Sequence, residues 1–94
     1  MFLHIKGKES DLGILNLDSV SRMKVLPDAR IGSFSLYFFV TDDRSFITFG
    51  SKEQCNLALS YIMDSISNAK DKNVVTICYD DILKYIDSSI DKAS

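Results

Sequence analysis

The run "SFSLYFFV", Ser33 to Val40, alternates with period two, placing Phe34, Leu36, Phe38 and Val40 on one side of an extended chain and Tyr37 and Phe39 on the other. "TDDRS" supplies turn residues and "FITFG" returns as the partner strand, so the segment reads as a hairpin of aromatic and β-branched residues suited to a packed pleated surface. Upstream, "FLHIK" reads as a short strand ended by polar "GKESD", and "LGILNL", Leu12 to Leu17, as a second. "NLDS" offers Asn16, Asp18 and Ser19, whose side chains bond nearby backbone and favour a turn. "VSRMKVL" then sets Ser21, Met23 and Val25 against Arg22 and Lys24, so Leu12 to Leu26 is expected to form another hairpin. Pro27 and Gly32 bracket the loop "PDARIG" between the two hairpins.

At Ser51 the period changes. Ser51 and Gln54 have the S-x-x-Q spacing of a capping box, and Cys55, Leu59, Ile62, Ile66 and Ala69 then advance by fours and threes along one helical stripe. Leu57, Ala58, Tyr61 and Met63 widen it, so a helix is expected over about 52–69. After polar "KDKN", "VVTICY" predicts a short strand. Asp80 is expected to cap a last helix over about 80–92, with Ile82, Leu83, Ile86 and Ile90 at helical spacing and Asp80 and Lys84 as an i, i+4 pair.

Strands first and helices after predict an α+β domain: one antiparallel sheet of about five to six strands built from hairpins, packed by both helices. The 94 residues make a single domain, 1–94. The apolar second face of "SFSLYFFV" then needs a cover, because burying a Phe or Leu side chain is worth about 1.5–3 kcal/mol and Tyr37, Phe39, Ile47 and Phe49 would otherwise be wet. The last helix is the expected cover; a curl of the sheet into a partly closed barrel, self-association or a partner are the alternatives.

Composition changes the picture little. Hydrophobic residues make up 46% and charged ones 26%, which places the chain among ordinary folded domains. A net charge of -2 gives no global basic field for nucleic acid or an anionic membrane, and no run approaches a membrane span. "MFLHIKGKES" lacks a basic leader and a cleavage site, so a cytoplasmic location is expected. Cys55 and Cys78 lack C-x-x-C spacing and read as reduced thiols rather than a disulfide.

Candidate chemistry is sparse. His4 is the only histidine, and Asp11, Asp18 and Cys78 stand at no spacing that encodes a triad with it. Asp42–Asp43 and Asp80–Asp81 sit where a hairpin turn and a helix start want Asp anyway, and neither belongs to a calcium loop or a zinc set. Gly7, Gly13, Gly32 and Gly50 are isolated and form no phosphate loop. No catalytic residue, cofactor or metal is expected. Arg22 and Lys24, with Arg30 beyond and aromatics nearby, can make a single-strand nucleic-acid platform, but the acidic balance favours a solvated sheet face.

"LNLDSVSRMKV" followed by "FITFGSKEQCNLALSYIMDSI" resembles a pattern in small bacterial and phage proteins of uncharacterised function, with an N-L-D turn between strands and an F-x-S entry into an acidic amphipathic helix. A sheet of hairpins closed by a helix is also similar to pleckstrin-homology-like domains. Either resemblance implies a fold and transfers no catalytic residue. "VVTICYDDILKYI" lies beyond that pattern.

These readings point to a non-enzymatic interaction or scaffold domain that binds a protein partner, or itself as a homodimer, through a sheet face or edge. The expected surface is Arg22, Lys24, Tyr37, Phe39, Ile47 and Phe49, with "FLHIK" or "VVTIC" as edges open to strand addition. A small-ligand or nucleic-acid binding module and a small enzyme are the other readings.

Overall fold

The computed structural model describes residues 1–7, 13–27, 33–69 and 71–93; Asp11, Leu12, Arg30 and Gly32 of the sequence reading lie outside the described residues. Among the described residues six strands and two helices follow one another as β1 (Phe2–Lys6), β2 (Gly13–Asn16), a 3-10 turn (Leu17–Ser19), β3 (Arg22–Pro27), β4 (Phe34–Val40), β5 (Asp43–Phe49), α1 (Lys52–Ser67), β6 (Val74–Cys78) and α2 (Tyr79–Ala93). The α+β class holds. The single sheet does not: β3, β4 and β5 form one antiparallel sheet, while β2, β1 and β6 form a second, mixed one in which β1 pairs antiparallel with β2 and parallel with β6.

The division arises at the "NLDS" turn. Asn16 accepts a hydrogen bond on Oδ1 from the Asp18 N–H at 3.0 Å, as an Asx turn should. Leu17 N–H closes the mixed sheet on the Met1 carbonyl, and by Ser21 the chain is already donating to the Phe39 carbonyl of the other sheet. The hairpin expected over Leu12 to Leu26 is therefore replaced by a change of sheet, with β2 pairing back to β1 and β3 pairing forward to β4. A local turn sets where a strand ends, and cannot by itself choose its partner.

Register fixes which side chains share a face. Thr41 and Asp42 turn the chain so that Val40 opposes Asp43, and pairing continues as Leu36 with Ile47 and Phe34 with Phe49. The inner face thus carries Leu36, Phe38, Ile47 and Phe49, all buried, with Phe34, Val40, Met23 and Val25 packed against them. In the mixed sheet the inner face carries Leu3, Ile5, Leu15, Val75 and Ile77. One continuous core joins both inner faces to Cys55, Ala58 and Ile62 of α1 and Ile82 and Ile86 of α2.

Helix α1 packs on β3, β4 and β5 and reaches β6. Its start follows the expected box with one shift: Ser51 Oγ accepts from the Gln54 N–H at 3.2 Å, while Gln54 Oε1 accepts from Gly50 N–H at 2.8 Å, one residue ahead of the cap. Helix α2 begins directly at the end of β6. Asp80 is therefore not its cap but lies, with Asp81, in the first turn, where the helix dipole favours acids. The first residue of α2, Tyr79, stacks on Phe49 at 6.0 Å, and Tyr85 meets Tyr61 of α1 at 5.2 Å. Gly7 permits this docking: its φ is +145° and an added Cβ would fall 2.6 Å from Tyr79 Cβ.

Candidate interaction surfaces

The outer face of β3-β4-β5 follows from the same register. Directly opposed residues make three rungs across the sheet: Arg22–Phe39–Arg44, Lys24–Tyr37–Phe46 and Leu26–Ser35–Thr48. The last rung is tight, with Ser35 fully buried and its hydroxyl 3.0 Å from that of Thr48. The other two present three cations and three aromatic rings, and among these described positions there is no carboxylate.

The rings form a cluster. Tyr37 lies 5.8 Å from Phe39 along the strand and 5.2 Å from Phe46 across it. The Arg22 guanidinium lies 4.7 Å above the Phe39 ring and that of Arg44 lies 5.5 Å from the Tyr37 ring. Such contacts are worth about 0.5–1 kcal/mol each at exposed sites. They also answer what covers the second face of "SFSLYFFV". The last helix is not the cover, since α2 packs on α1 and β6; the sheet's own arginines lie on the rings.

Four of the six expected surface residues, Arg22, Lys24, Tyr37 and Phe39, are brought together here. Ile47 and Phe49 are not: both are buried in the core on the opposite face, because the turn at Thr41 and Asp42 pairs odd positions of β5 with even positions of β4. Arg44 and Phe46 take their places, and Phe46 is 48% exposed. Reading "TDDRS" wholly as turn hid Arg44; the signal was the two-residue turn itself, which extends β5 to Asp43.

The outer face of the mixed sheet differs in kind. Ile14, Phe2 and Val74 are 67%, 42% and 47% exposed there, with His4 between Ile14 and Thr76. Sequence reading passed over this patch because each residue comes from a different strand. "FLHIK" is the central strand, bonded on both sides, so it offers no edge for strand addition. "VVTIC" does lie at an edge.

The remaining candidates stay apart or serve the backbone. His4 and Cys78 share the outer face of neighbouring strands two residues off register and are not hydrogen-bonded to each other, and Asp18 sits in the 3-10 turn. Asp43 Oδ1 accepts from the Arg44 N–H at 2.7 Å, a turn contact. Cys55 is buried and Cys78 exposed, both as free thiols; burial pushes the Cys55 thiol up to about 11, against a weaker opposing hydrogen bond with the Phe49 backbone. Among the described residues no group of three or more His, Cys, Asp or Glu could hold a metal ion, and no helix is long and apolar enough to cross a membrane.

No protein-family model, curated protein or solved structure compared with this chain matches it.

Proposed function

We propose that this protein is a non-enzymatic interaction domain that docks an acidic segment of a protein partner on the outer face of β3-β4-β5. The observation that carries the reading is the pair of rungs Arg22–Phe39–Arg44 and Lys24–Tyr37–Phe46, three cations and three clustered rings without a carboxylate among them. Tyr, Phe and Arg are the residues enriched in protein interfaces, and depletion of the opposite charge makes the patch electrostatically selective although the whole chain is acidic. A guanidinium stacked on a ring uses its flat face and keeps its edge donors for a carboxylate, so the arginines are partly ordered before the partner arrives.

Two details weigh against other occupants. Base stacking needs open ring faces, and Arg22 and Arg44 already lie over Phe39 and Tyr37. A two-fold dimer through this face would bring two patches of the same charge together, which repels. The two free thiols suit a reducing compartment, and a cytoplasmic site of action goes with the proposal.

The test is amide and side-chain chemical-shift mapping with a Glu-Tyr-Glu-Phe-Glu peptide and, separately, a single-stranded thymidine oligonucleotide, each at low and high salt. Shifts with the peptide that centre on Tyr37, Phe39 and Phe46, weaken with salt and disappear in the folded double variant Arg22→Glu/Arg44→Glu support the reading. Preferential binding of the oligonucleotide at the same residues moves it to nucleic acid. A concentration-dependent dimer that shifts those residues without any addition moves it to self-association.

A further inference from the structure

Along the side of β6 away from β1, where among the described residues no strand pairs, runs a groove of about 450 Å³ lined by Val74, Val75, Thr76, Ile77 and Cys78 without a break. Consecutive residues of a strand point to opposite faces, so a groove touched by five in succession lies against the strand's edge and not over one face. The hydrogen-bond ladder agrees. Phe2 N–H donates to the Asn73 carbonyl at 2.8 Å and Phe2 is in register with Val74, which turns the backbone groups of Asn73, Val75 and Ile77 toward β1. By alternation the N–H and C=O of Val74 and Thr76 face the groove.

The opposite wall is helical. Tyr61, Ser65, Asn68 and Ala69 are spaced as one face of α1 and the turn after it, and Ser65 Oγ is already committed to the Tyr61 carbonyl at 2.9 Å. An added strand would lie about 4.8 Å from β6 in the plane of the sheet, along the side that the groove follows, with the helical residues as its far wall. Charge marks the two ends: Lys72 borders the groove beside the first residue of β6 and Asp81 borders it beyond the last.

We propose that this groove binds an extended peptide segment, added antiparallel to β6, with its C-terminal or acidic end at Lys72 and its amino or basic end at Asp81. The antiparallel direction follows from charge, because a parallel strand would bring its amino end to Lys72. Main-chain bonds to Val74 and Thr76 supply affinity, and alternate side chains supply selectivity. One set of them meets Tyr61 and Ala69; the other extends the exposed face that carries Phe2 and Val74. This site is separate from the basic face of β3-β4-β5, so each stands or falls without the other.

The probe is a set of fluorescein-labelled hexapeptides of pattern Lys-Φ-Thr-Φ-Thr-Glu with a free C-terminus, Φ being Val, Ile, Phe or Tyr, tested on the full chain. The expected result is saturable binding by members of the set, with amide exchange at Val74 and Thr76 slowed at least about tenfold and little change at Val75 and Ile77, already bonded to β1. N-methylation of the bound peptide at the residues facing β6 should abolish binding, and N-methylation at alternate residues should not. Lys72→Glu should weaken it at least about tenfold, a loss that salt reduces, and Arg22→Glu/Arg44→Glu should leave it unchanged. Thr76→Pro, which removes an N–H directed away from β1, adds a test from the protein side, while N-methylation needs no variant to fold. The proposal is overturned if no member binds at about 1 mM, the range of the weakest specific affinities. It is also overturned if binding ignores N-methylation, or if Val74 and Thr76 are protected without peptide in a dimer paired through β6.

Discussion

The two sheets treat their outer faces in opposite ways. On β3-β4-β5 the rings of Tyr37 and Phe39 are roofed by Arg22 and Arg44 from the flanking strands, so the surface is charged, ordered and half-dry. On β2-β1-β6 the side chains of Phe2, Ile14 and Val74 are exposed, and among the described residues no cation stacks on the Phe2 ring. The difference teaches that apolar content alone does not describe a sheet face: the first carries rings under cations, whereas the second carries exposed Phe2, Ile14 and Val74 among His4 and Thr76. It also separates two kinds of aromatic residue in one strand, because Phe38 and Phe39 are adjacent and belong to different environments.

That adjacency gives the largest expected effect. Phe38→Ala empties a fully buried site and should lower unfolding free energy by about 3–5 kcal/mol, whereas Phe39→Ala should lose about 1 kcal/mol, mainly its contacts with Arg22 and Tyr37. Urea unfolding of the two variants measures this; equal losses would mean that the outer face is as much core as the inner one.

A smaller effect compares the thiols. In the native protein iodoacetamide should modify Cys78, and Cys55 only when the chain unfolds. Because the Cys55 thiol is raised from 9.0 to about 11, the folded state holds its proton where the unfolded state has lost it. Its contribution is complete below about 9 and is lost as pH rises from there toward about 11, so stability should fall across that window. The measure is the difference in slope between the protein and Cys55→Ala, which should be flatter.

The smallest effect belongs to the bare face. Ile14→Ser should change stability by no more than about 0.5 kcal/mol, since a side chain 67% exposed has little burial to lose. A larger loss in a monomeric sample would show that this patch is sheltered in solution.

Local pattern made part of this architecture legible. Alternation in "SFSLYFFV" put Phe34, Leu36 and Phe38 on one face, leaving open which face is the core, and the Ser51–Gln54 spacing located the start of α1. Both depend on neighbours within a few residues. Pairing does not: nothing in "FLHIK" marks it as the parallel partner of "VVTIC", some seventy residues away, and the result was one sheet expected where there are two. The candidate face was half-legible for a related reason. Arg22 and Lys24 were visible as an alternating pair, but whether Phe46 or Ile47 joined them turned on one residue of turn length, and a one-residue slip exchanges every side chain between faces.

The parallel pairing of β1 with β6 has a consequence for how the chain folds. Strands β3 to β5 and α1 follow one another over 22–67, so that sheet and helix can assemble from segments near in sequence. The mixed sheet cannot close so locally, because some seventy residues separate its central strand β1 from β6. Until β6 docks, β1 has only β2 to pair with in that sheet, so closure of the long loop from β1 to β6 is expected to be the slowest step in reaching the native state, which the refolding rate of a variant weakened in β6 would check.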